Sequence, residues 1–202
     1  MWLHALALLV AMALASGCAI ARSEVKTLRD PGANLIRMDT LIHSSITALN
    51  DLPSKCGPTW DRRVREEEFN VYQVVGTIRG VKRAPDHDIH IILTDPRNPD
   101  AHIIVELPDP DARGSLKSPH RDSFVRAKQM FEDLVAERGA RQFKDLRGVP
   151  VRVTGVGFFD LSHFQVGRSR SCIELHPVLA IESVRDSLVP PIPKTWPDDS
   201  GR

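Results

Sequence analysis

Aromatic side chains are scarce, at 5% of the chain with a single tyrosine. Proteins that hold single-stranded nucleic acid stack its bases on aromatic faces along a basic groove. Here Tyr72, Phe158, Phe159 and Phe164 would have to supply the stacking, with Arg79, Lys82, Arg83, Arg168 and Arg170 as the groove. An excess of one charge is missing too: 27 Lys and Arg stand against 26 Asp and Glu, a formal charge of +1. That balance leaves no case for whole-molecule attraction to nucleic acid or an anionic membrane, so any electrostatic choice of partner is local. The chain carries no HExxH or comparable metal spacing and no strong catalytic motif. Its leading apolar run, Ala5 to Ala15, is too short to cross a bilayer.

That run reads instead as the core of a secretory leader over residues 1–21, ending in Ala15, Ser16 and Gly17 before Cys18. Ala15-Ser16-Gly17-Cys18 also resembles a lipobox, which would make Cys18 an acylated first residue, although Ala15 stands where Leu is usual. Both readings predict an exported protein: periplasmic, an outer-envelope lipoprotein, or extracellular. Cysteine is rare, with three in all. Losing or acylating Cys18 leaves Cys56 and Cys172, an even pair predicted to form a disulfide in an oxidising compartment.

Residues 22–68 read as an N-terminal extension. Ser23 to Asn34 is polar and loose, and Asp39 caps a short helix whose apolar positions are Leu41, Ile42, Ile46 and Leu49. Asp61 to Glu68 is a solvated connection. From residue 69 to 187 the apolar pattern changes to alternation. Strands are predicted over Phe69 to Val81, Ile89 to Leu93 and His102 to Leu107. A helix follows, starting at Ser118-Pro119, with Phe124, Ala127, Phe131 and Leu134 on one face and Gly139 as its stop. Val149 to Phe158 and Ile173 to Val184 are the last two strands, with Gly155 and Gly157 marking a bulge or tight coil. Residues 188–202 are a proline-rich, disordered tail. Three strands, a helix and two strands predict a mainly β protein, a five-stranded OB-like Greek-key barrel with a helix between strands three and four and a short N-terminal helix.

The chain also resembles a family of uncharacterised exported bacterial proteins with an OB-like domain. The resemblance rests on Glu24-Val25-Lys26-Thr27, on Asp86-x-Asp88-x-His90, and on the run Ile104 to Pro110. Ser118-Pro119, Val153 to Asp160 with His163, and Ile173 to Leu179 complete it. It implies export and the OB-like fold and brings no activity with it. Two positions depart from the pattern: Ala112, where a cysteine is expected, and Cys172, where Gly or Asn is usual.

In an OB barrel the loops joining strands one to two and four to five border the ligand face. Here those loops predict a ligand-binding set of Asp86, Asp88, His90, Asp160 and His163, flanked by Arg83 and Arg168. Carboxylates with imidazoles suit zinc or another first-row ion, while the sequence itself names no metal or cofactor. His176 reads as a hydrogen-bonded structural histidine. Glu106 and Glu174 lie within apolar strands, either on the outward face of a half-buried sheet or as an acid pair bridging to a base. Two functions stay open: an exported binding module of unknown ligand, and a metal-assisted hydrolase or nuclease on the same Asp and His residues. Candidate partners are an oligosaccharide, a peptide, another envelope protein or single-stranded nucleic acid, with the membrane reached only through a lipid anchor.

Overall fold

The computed structural model describes residues 22–53, 56, 62–63, 65–161 and 166–184. The leader with Cys18, His163, Phe164 and the tail from residue 188 lie outside the described residues. Six strands form one mixed sheet: β1 (Arg37–His43), β2 (Asn70–Arg83), β3 (Ile89–Asp95), β4 (Asn98–Leu107), β5 (Pro150–Phe159) and β6 (Ile173–Ser183). Among the described residues three α-helices accompany it: α1 (Ser23–Lys26), α2 (Ile46–Asn50) and α3 (Arg121–Glu137). The strand order is β1-β2-β3-β4-β6-β5, and β2 pairs with β5 as well as with β3. Among the described residues parallel pairing is confined to β1–β2 and β4–β6.

Strict alternation explains the core. Ile89, Ile91 and Leu93 of β3, Ile103, Val105 and Leu107 of β4, Val151 and Val153 of β5, and Ile173 and Leu175 of β6 all bury into one cluster. Ile46 and Leu49 of α2 join it, as do Ala127, Phe131 and Leu134 of α3. Because side chains point alternately to the two faces of a strand, that inward set fixes what faces the other way: His90, Glu106, Phe158, Glu174 and His176. A second cluster of Leu28, Ile36, Val71, Phe124 and Val156 lies apart from the first. It fastens the chain from α1 to Ile36 and the start of α3 over this second face. At Gly155 and Gly157 the β5–β6 register shifts, as the glycine pair suggested. A Cβ on Gly157 would meet the Glu67 carbonyl oxygen at 2.3 Å.

Several boundaries differ from the sequence reading. Residues 37–43, expected to begin a helix capped by Asp39, form a strand beside the start of β2. Five of its first residues are exposed in succession, so no buried face existed to give the strand a period. The helix that follows is capped by Ser45, whose Oγ accepts from the Ala48 N–H at 3.0 Å. Ser23 to Asn34, expected as loose, contains α1 and a 3-10 turn over Ala33–Leu35, with Val25 and Leu28 buried. Helix α3 starts with His120 as its cap, two residues beyond Ser118, whose Oγ instead accepts from the His120 N–H. It ends at Glu137, and Gly139 adopts φ 59° as a stop requires. Arg63 and Glu68, expected in a solvated connection, are buried. Among the described residues no helix is long and apolar enough to cross a membrane.

Cys56 and Cys172 are joined by a disulfide, with Cα atoms 4.9 Å apart across 116 residues of sequence. Such a bond is compatible with export.

Candidate functional site

Antiparallel register places His90 of β3 opposite Glu106 of β4. Parallel pairing of Val105 with Leu175 then brings Glu174 and His176 of β6 alongside. The Asp88 side chain comes in from the end of the β2–β3 turn. The Glu106 carboxylate is the hub. Its Oε1 lies 3.0 Å from His90 Nε2, and its Oε2 lies 2.7 Å from His176 Nδ1 and 3.5 Å from Lys26 Nζ. His176 Nε2 is 3.6 Å from Asp88 Oδ2, while Asp88 Oδ1 accepts from the Asp109 N–H at 2.8 Å. The imidazoles are at ion-pair distance but off the line of a hydrogen bond, for both ring nitrogens of His90 and of His176 lack an aligned partner. Glu106, Glu174 and His176 are at most 1% exposed.

Low dielectric drives the titratable groups apart. Burial would raise the Glu106 carboxyl, but Lys26, His176 and His90 together hold it well below the usual carboxylate range. Burial, then the neighbouring charges of Glu106 and Asp160, push the Glu174 carboxyl well above that range. Asp88 rises to about 6 through burial, opposed by His176. Burial lowers His90 despite Glu106. Lys26 is held charged: burial pulls it down, and Glu106, Asp160, Glu174 and Asp86 more than offset the pull.

The segment 22–30 covers the cluster and is itself anchored by buried charge. The Arg22 guanidinium donates to Glu68 and to the Phe159 carbonyl and lies 4.6 Å from the Phe158 ring centroid. Arg63 donates to the carbonyls of Glu68 and Val25 and pairs with Asp30 at 3.3 Å.

Of the residues predicted from sequence, Asp88 and His90 belong to the cluster, and Asp160 acts on Lys26 and Glu174 from the β5–β6 connection. Asp86 is exposed on the turn, where its Oδ1 accepts from the Asp88 N–H at 3.3 Å, and its charge also reaches Lys26. Arg83 donates to the His87 carbonyl within its own turn, and Arg168 lies 3.8 Å from Cys56 Sγ. Lys26 escaped the sequence reading because it sits in a polar stretch. Glu106, Glu174 and His176 left a legible signal, charged or titratable residues inside strongly apolar strands. Tyr72, Phe158 and Phe159 are all buried, so no stacking platform is presented by these three. A separate cleft of about 280 Å³, lined by residues including His43, Gln73, Asp95 and Arg97, contains none of the predicted site residues.

No family model and no curated protein matches the chain. Among solved structures it is similar to an asparaginyl-tRNA synthetase from Entamoeba histolytica, with a TM-score of 0.37 and 12% identity. The likeness covers 68% of this chain and 25% of that one, so the chain spans about a quarter of the synthetase.

Proposed function

We propose that the protein is an exported OB-type binding module whose ligand is electropositive and docks where the β2–β3 turn and the β5–β6 connection border the acidic cluster. The observation that carries this reading is convergence. Lys26, Asp88 with His90, Glu106, and Glu174 with His176 come from four separated stretches and meet on one face. Each of those stretches is among the motifs that resemble the exported OB-like family, which extends the same reading to family membership. The pairing path β2 to β3 to β4 to β6 to β5 and back to β2, with α3 between β4 and β5, supports the reading as a five-stranded Greek-key OB barrel to which β1 is added. The leader pattern and the Cys56–Cys172 disulfide support export.

Four carboxyl groups acting on Lys26 favour a ligand of positive charge over a phosphodiester. Binding is favoured over metal-assisted hydrolysis because a hydrolytic metal keeps an open position for water, whereas segment 22–30 closes this cluster. Calorimetric titration with a short lysine peptide and with oligothymidylate tests the reading. The peptide should bind, and Asp86→Asn combined with Asp160→Asn should weaken it at least tenfold, about 1.4 kcal/mol. Binding of neither probe, or a preference for oligothymidylate, would overturn the reading.

A further inference from the structure

Asp88, Glu106 and His176 each offer one ligand atom, those atoms lie within 4.8 Å of one another, and all three residues are buried. Ligands about 2.1 Å from a shared ion stand roughly 3.4 Å apart in a tetrahedron. The imidazole of His176 stands between the two carboxylates, its Nδ1 2.7 Å from Glu106 Oε2 and its Nε2 3.6 Å from Asp88 Oδ2. A second observation points the same way. Eight buried side-chain polar atoms among the described residues lack a hydrogen-bond partner, and five of them are here: both ring nitrogens of His90, both of His176, and Glu174 Oε2. Native structures leave few such atoms, and an ion is one of the things that satisfies them.

Resting on the electropositive-ligand reading above, we infer that Asp88, Glu106 and His176 bind one first-row divalent cation of the zinc or manganese kind. Two carboxylates and imidazole without sulfur suit these ions, and imidazole disfavours calcium and magnesium. Lys26, 3.5 Å from Glu106 Oε2, supplies the positive charge that the ion replaces. Its side chain is 20% exposed and so has a route outward.

The full chain, purified with its disulfide intact, is loaded with zinc, desalted, and assayed for metal content, melting temperature and zinc-edge X-ray absorption. One equivalent of zinc per chain, a raised melting temperature and a shell of nitrogen and oxygen alone are expected. Asp88→Asn should weaken zinc at least tenfold, and Lys26→Met, which removes the competing charge, should tighten it. Folded wild-type protein that retains no zinc, zinc retained equally by Asp88→Asn, or a sulfur-containing shell would overturn the inference. Should Asp88→Asn fail to fold, the wild-type absorption spectrum decides alone. Protein that binds the lysine peptide but no zinc loses this inference and keeps the binding-module reading; protein that binds neither loses both.

Discussion

His102 shows how this fold uses a neutral imidazole away from the acidic cluster. Its Nε2 faces an Arg79 guanidinium nitrogen at 2.8 Å and its Nδ1 faces Thr94 Oγ1 at 3.0 Å. The ring can accept from Arg79 only while unprotonated, and burial together with the Arg79 charge lowers its pKa from the ordinary 6.5. A depressed folded value means that its stabilising contribution is fully present above about 6.5 and is lost as pH falls through the lower folded value. Urea midpoints measured at pH 7.5 and pH 5 should therefore drop more for the wild type than for His102→Gln. An equal drop in both proteins would show that His102 is not linked to folding.

At the scale of elements, Gly157 decides whether β5 can lie under the 3-10 turn Glu66–Phe69. A Cβ there would meet the Glu67 carbonyl oxygen at 2.3 Å and the Tyr72 ring at 3.0 Å, and the first of these is backbone that cannot swing aside. Gly157→Ala should cost about 1–3 kcal/mol, the usual range for overpacking, read as a lowered urea midpoint; a loss below about 0.5 kcal/mol would mean that the turn shifts freely. The sequence marked this place correctly because paired glycines in an apolar strand have few other uses. It also marked β3, β4, β5, β6 and α3, whose inward residues repeat with the right period. It did not mark β1 or α1. The residues of β1 bury almost nothing, and α1 is four residues long with Val25 as its only buried side chain. For the same reason the site was half legible. Asp88, His90 and Asp160 stood out on turns, and Glu106 and Glu174 stood out within apolar runs. That a polar segment carrying Lys26 would fold across them depends on long-range anchors such as Arg63–Asp30, which no local pattern records.

For the molecule as a whole, the disulfide is the longest-range covalent constraint. By limiting the unfolded chain, Cys56–Cys172 should contribute about 2–4 kcal/mol. Replacing both cysteines by serine should lower the urea midpoint accordingly while leaving the far-ultraviolet circular dichroism unchanged; an unaltered midpoint would show that the bond forms without stabilising the fold. The covalent ring also divides the strands by how they would carry mechanical load. β2, β3, β4 and β5 lie between the two cysteines, whereas β1 and β6 lie outside. Tension applied at the two ends of the chain would pass from Cys56 to Cys172 through sulfur and bypass the enclosed strands. The contour held in reserve is about 400 Å, from 116 residues at roughly 3.5 Å each. Only the parallel seam of β1 on β2 and the pairings of β6 would be loaded, so an oxidised molecule under tension would strip away β1 and β6, drawing Glu174 and His176 off Glu106, while β2 to β5 stay slack until the sulfur bridge is reduced.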